Sequence, residues 1–308
     1  MADIHGFNDI EENNGNNRGN NNGYRLMMNN NNNAERMNVF GSFDSQGDPR
    51  KESFCAFLKN FLFPQFTLYS FTFVITVILF LAYIITLCFG LEKTEKTSFY
   101  FLPPSHDTLK TGWLSSSLLK SSFTQTYRWI SHGFYHAYLF HILSNCFGLL
   151  IFGALTEKLL GTLKYTIIYF VSGLLGSLFS MIVHPSANSV GASISVYGIF
   201  GGYFAFCILN WKLLDRLFGP VGKCFMFYFL FFFVILTVVY GLMEEKTNIN
   251  VFGHLGGLLF GFLFTCSICP PDNEENCAIC KYFLWRYISI GICSLFALIG
   301  FLCFYLIK

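Results

Sequence analysis

Ser193 and His254 are the two residues whose types fit nucleophilic attack on a carbonyl, a hydroxyl with an imidazole to take its proton. His141 and Asn145 stand four residues apart, so a helix turns an imidazole N–H and an amide N–H to one side. Such donors suit the oxyanion that the attack creates, and the backbone N–H of Ser193, at a helix start, adds another. Each residue also has an ordinary explanation, since serine caps helices and a histidine in an apolar helix bonds a backbone carbonyl. What sets them apart is that three separate apolar segments carry them at a common level. No Asp or Glu is spaced to orient His254, so the expected arrangement is a dyad. Tyr197, one turn after Ser193, can pack on the imidazole or serve as a core aromatic. His136, about 140° round a helix from His141, is expected to pack structurally or to bind water. Three histidines without a nearby carboxylate do not make a metal site, and no cofactor is required.

The elements that must position these residues are membrane helices. Apolar residues are 53% of the chain and charged residues 12%, far from the roughly even mix of a soluble domain. The formal net charge is +2, and no basic stripe interleaved with aromatics is present, which excludes a nucleic-acid partner. A spanning helix needs about 20 apolar residues. Segments at 67–89, 134–153, 164–184, 192–211, 225–242, 250–268 and 284–306 meet that length. The fold expected is an all-α, polytopic membrane helix bundle. Polar residues inside a membrane are expensive and mark function by default, and the second, fourth and sixth segments carry them. Gly253, Gly257 and Gly261 repeat every fourth residue on the sixth segment, and Gly198 and Gly202 do so on the fourth. Such ladders let helix backbones approach closely in lipid.

Residues 1–65 hold no apolar stretch able to act as a secretory signal, and Asn13–Asn33 is an asparagine-rich tract that cannot bury enough apolar area to order itself. It is read as a disordered cytoplasmic tail. Arg50, Lys51 and Lys59, then Lys158 and Lys164, then Lys212, Arg216 and Lys223 all fall on one side of the expected helices. By the preference of Lys and Arg for the cytoplasm, the N-terminus is inside and the site faces the external or lumenal side. Cys88, Cys146, Cys207, Cys293 and Cys303 lie in apolar runs as small hydrophobes. Cys266, Cys269, Cys277 and Cys280 form a C-x2-C-x7-C-x2-C array read as one loop of residues 269–283 and its approach. Acylated membrane-flanking thiols are preferred there to zinc ligands.

These fragments resemble the signatures of the rhomboid family of intramembrane serine proteases. The resemblance runs through His136 to Asn145, Glu157 before Gly161, Gly191-Ala192-Ser193 with Tyr197, and His254 with Gly257 and Gly261. It implies a six-helix core over residues 66–268 and a seventh helix at 284–308, as in secretory-pathway forms. It also implies that Ser193 and His254 are the dyad, that His141, Asn145 and Ser193 form the oxyanion site, and that Arg128 is the arginine of an aromatic-arginine motif with Tyr127 in place of tryptophan. Ile194 stands where that family usually has glycine, which puts a branched side chain beside the substrate channel. The implied reaction is hydrolysis of a peptide bond in or near the transmembrane helix of a single-pass partner, in a secretory or plasma membrane, releasing an ectodomain. An inactive relative that binds transmembrane helices and escorts clients shares the fold; the intact pair Ser193 and His254 argues against it, and Ile194 argues weakly for it. A channel would need polar residues through the whole depth, whereas here they gather in the outer half.

Overall fold

The computed structural model describes residues 69–92, 101–243, 250–269 and 279–306, all within one compact unit. The expected tail and the asparagine tract lie outside them. The architecture is the expected all-α membrane bundle. Among the described residues there is no strand, only isolated antiparallel bridges between Leu91 and Pro104 and between Leu114 and Ser189.

Seven long helices follow in order: α1 Phe71–Phe89, α2 Leu139–Leu160, α3 Thr162–Val183, α4 Ser193–Leu209, α5 Trp211–Met243, α6 Val251–Ile268 and α7 Ile279–Leu306. Between α1 and α2 runs a long connection of short helices, including His106–Gly112, Ser116–Ser121 and Arg128–Ser131. Stretches of six of the seven long helices have the length and apolarity to cross a membrane, and α4 is shorter, at 17 residues. A helix of that length rises about 25 Å, short of the roughly 30 Å of hydrocarbon. The irregular segment 184–192 therefore leads into it, and its last residues, Gly191 and Ala192, are buried in protein, where non-helical backbone is tolerated.

α3, α4 and α6 form the centre, α7 packs on α3 and α6, α5 on α4, and α1 on α2. The glycine ladders account for the closeness at the centre. A Cβ on Gly261 would lie 2.0 Å from the Gly198 carbonyl oxygen, and one on Gly257 would lie 2.1 Å from that of Ile194. The third contact comes from Gly201, where a Cβ would lie 2.0 Å from the Leu258 oxygen. Gly202 of the expected ladder faces Thr265 instead.

Three sequence-based boundaries are corrected. The second segment begins at Leu139, because residues 132–138 form a 3-10 turn and an extended stretch, and it runs on to Leu160 through a π-helical turn at Leu149–Gly153. The cationic stretch with Lys212, Arg216 and Lys223 is the start of α5, not a loop; Leu213 and Leu214 are buried there while Lys212 is exposed, the amphipathic pattern that sustains a helix. Cys266 lies inside α6 and Cys269 is its buried cap residue, with Sγ accepting from Asn210 Nδ2 at 3.9 Å. The supposed single loop of thiols is thus partly helical, and Cys277 lies outside the described residues.

Glu157 caps the bundle rather than the site. Its carboxylate, buried near the end of α2, accepts from Phe71 N and Thr72 N at 2.8 Å and from Thr162 Oγ1 at 2.8 Å. These are the unsatisfied N–H groups of α1, which a negative charge suits best. Gly161, at φ +81°, then turns the chain directly into α3.

Candidate active site

Ser193 is the first residue of α4, which Ala192 precedes as the cap residue, and its hydroxyl faces α6. His254 stands in the first turn of α6, which Asn250 opens by accepting from Gly253 N at 2.8 Å. The two backbones meet where Gly257 faces Ile194, next to Ser193 and about one turn after His254, which brings the two side chains together. Ser193 Oγ and His254 Nε2 are 2.7 Å apart. The imidazole is stacked on Tyr197, with ring centroids 4.3 Å apart and planes 7° from parallel. On the far side, Tyr197 Oη hydrogen-bonds Thr237 Oγ1 on α5.

The donor side comes from α2. Gly191, at φ +115°, lies against the His141 ring: a Cβ there would come within 2.6 Å of Cε1 and Nε2, and within 3.6 Å of Asn145 Nδ2. Only glycine meets both the backbone angle and the space. Asn145 is buried at 5% exposure, and its Nδ2 makes no hydrogen bond. An idle buried donor costs about 1–3 kcal/mol, a cost consistent with a group that awaits an acceptor.

His136 is corrected from helix to loop. It precedes α2, its Nε2 accepts from Ala192 N at 3.4 Å, and its ring meets His141 edge to face at 5.1 Å. It is fully buried and holds the residue before Ser193; burial keeps its pKa well below the ordinary value. Ile194 is also corrected. It is 1% exposed, and its side chain fills the space left by Gly176, Gly253 and Gly257 rather than lining a channel. Arg128 is buried and its hydrogen bonds go to the connection rather than to the dyad, its Nη1 donating to the Lys110 and Trp113 carbonyls at 2.9 Å and its Nε to Gln125 Oε1 at 2.7 Å. Tyr127 is half exposed, donates to the Thr111 carbonyl and underlies the Arg128 guanidinium.

Three further residues escape a reading of the sequence. His132 gives its carbonyl to Gly191 N at 2.9 Å and its Nε2 to a 3.0 Å bond with Ser177 on α3, and burial lowers its pKa to about 4. Thr237 sits in an apolar run with nothing to single it out. Asn250, which also accepts from Ser180 Oγ at 2.7 Å, carried a usable signal as a favoured cap just before the sixth segment. Among the described residues, no group of three or more His, Cys, Asp or Glu side chains is placed to hold a metal ion.

Residues 124–271 match the model of the rhomboid domain. The chain is 31% identical over 175 residues to rhomboid-like protease 3 of Toxoplasma gondii, covering 57% of this chain and 62% of that one. It is 30% identical over 205 residues to rhomboid-like protease 1 of the same organism, covering 65% and 64%. RHOMBOID-like protein 6, mitochondrial, of Arabidopsis thaliana is 32% identical over 179 residues, covering 57% and 55%. The match thus spans less than two thirds of each of these relatives. With six helices among the described residues long and apolar enough to cross a membrane, the chain is an integral multi-pass membrane protein.

Proposed function

We propose that this chain, which belongs to the rhomboid family, is an intramembrane serine endopeptidase acting on the transmembrane helices of other membrane proteins. The observation that carries the reading is the 2.7 Å contact of Ser193 Oγ with His254 Nε2, held by the Tyr197 stack on the most closely packed helix pair. Ser193 Oγ attacks the scissile carbonyl while His254 takes its proton. Negative charge on the carbonyl oxygen is received by Asn145 Nδ2, the His141 N–H and the Ser193 backbone N–H. His254 then gives the proton to the leaving amine, an ester to Ser193 remains, and water attacks it with His254 again as base. No metal or cofactor enters these steps. A helix must open to expose its carbonyl, so substrates are expected to carry Gly, Ala or Pro near the cut. The site is assigned to the external or lumenal face of a secretory or plasma membrane, on the strength of the Lys and Arg placement.

The test is release of an ectodomain from a model type I membrane substrate co-expressed with this chain. Release is expected with the wild type and none with Ser193→Ala inserted at equal level. Binding of several helix-weakened substrates without cleavage by the wild type would instead favour an inactive relative that escorts membrane clients.

A further inference from the structure

α7 lies outside the matched domain, and only 22% of its span is buried. Its last turns behave differently. Phe304 is 3% exposed and shares a core cluster with Leu114, Leu119, Trp129, Leu178 and Met181. Trp129 meets Phe301 and Phe304 edge to face, each at 5.3 Å, and its Nε1 donates to Tyr305 Oη at 3.0 Å. A poorly buried helix has thus placed a buried ring and a specific hydrogen bond on the connection between α1 and α2.

That connection leads to the site by backbone bonds. Leu114, fully buried in the same cluster as Phe304, exchanges both backbone hydrogen bonds with Ser189, at 2.8 and 3.0 Å. Ser189 is two residues before Gly191 and four before Ser193. Arg128, next to Trp129, ties down the carbonyls of Lys110 and Trp113 on the same strand of connection. The segment 184–192 has no helix or sheet of its own, so the pair with Leu114 is one of the few bonds that fix its register, along with those from His132 and His136.

We infer that Phe304 and Tyr305 are positioning residues: the end of α7 clamps Leu114 and Trp129, and through the Leu114–Ser189 pair sets where Gly191 and Ser193 stand against His141 and Asn145. Removing the Phe304 ring leaves a void in the cluster that holds Leu114 and Trp129, and the loop gains freedom while the α4–α6 seam stays intact. A loss of alignment of this size slows attack without removing the site, since reactivity falls steeply with small misplacements.

The test uses the full chain in proteoliposomes and has two arms. In the first, a soluble fluorophosphonate, which has no transmembrane helix to dock, reports the rate and the final extent of labelling. Phe304→Ala is expected to lower the rate about tenfold with an unchanged final extent, Tyr305→Phe about two- to threefold, and Phe304→Leu to restore the wild-type rate within about twofold. In the second, hydrogen exchange is followed by mass spectrometry. Peptides covering 110–116 and 184–192 are expected to exchange faster in Phe304→Ala, and those of α4 and α6 to be unchanged. A reduced final extent at an unchanged rate, or unchanged exchange in 184–192, overturns the clamp. If Phe304→Ala does not fold, Tyr305→Phe, which keeps the packing, decides by the same measurements. The labelling arm rests on Ser193 as nucleophile. Should the wild type take no label, that reading falls, and the exchange arm alone decides the clamp.

Discussion

Two of the helices that pack on α4 are of opposite character, and the site sits between them. Toward α6 the backbones approach directly at glycines 198, 201, 257 and 261, with Ile194 filling the space beside Gly253 and Gly257. Toward α5 it is made of ring edges, such as Phe204 with Phe227 at 5.2 Å, and the Tyr197–Thr237 hydroxyl pair. Only 12% of the α5 span is buried, against 44% for α6 and 56% for α3. A backbone seam cannot slide without a clash, whereas ring edges re-pack at small cost. Ser193 and His254 therefore ride on the tighter of the two contacts, and displacement on the α5 side is expected to cost less.

The largest effect is expected from breaking the rigid side. Gly261→Ala puts a methyl 2.0 Å from the Gly198 oxygen, and overpacking of this kind costs about 3 kcal/mol or more where backbone must shift. Thermal melts in detergent should show a large drop in midpoint together with loss of activity. Ile194→Ala empties the pocket between three glycines and should cost about 2–5 kcal/mol, read by the same melts; a gain in cleavage rate would return Ile194 to a channel wall.

The rigid side also predicts a pH dependence. His132, held to Ser177, has a pKa of about 4 against an ordinary 6.5, because burial disfavours the charged ring. The unfolded chain takes up this proton below about 6.5 while the folded chain resists to about 4, so stability is at its full value above 6.5 and is lost as pH falls toward 4. The loss is about 3 kcal/mol for this residue, and His136 adds in the same direction. Melts from pH 7.5 to 4.5 should fall accordingly, with a shallower slope in His132→Asn. The smallest effect is expected on the yielding side. Thr237→Val should cost about 1 kcal/mol, and because the Thr237 hydroxyl donates to the Phe233 and Val234 carbonyls and so accepts from Tyr197, adding Tyr197→Phe to it should cost little more.

The sequence made the centre of this account readable because lipid leaves few reasons for polar side chains in a span: Ser193, His141, Asn145 and His254 stood out against apolar runs, and the glycine spacing indicated which helices touch. The period of a helix put Tyr197 one turn after Ser193 but did not separate a ring packed on the imidazole from an ordinary core or lipid-interface aromatic. What escaped depended on irregular backbone. His136 was put on a helix because nothing in 132–138 signals the turn that precedes Leu139. Ile194 was aimed at a channel because the space for it is made by Gly176 on α3, which no ladder on α4 or α6 announces. Thr237 and His132 matter through single bonds to other helices, and such bonds leave no period in the chain.

The most direct test of the central claim is fluorophosphonate labelling of the wild-type chain with peptide mapping of the adduct. The account expects one adduct, on Ser193, absent in Ser193→Ala and formed at least about a hundredfold more slowly in His254→Ala. Labelling that persists in Ser193→Ala, or that is indifferent to His254→Ala, would contradict it.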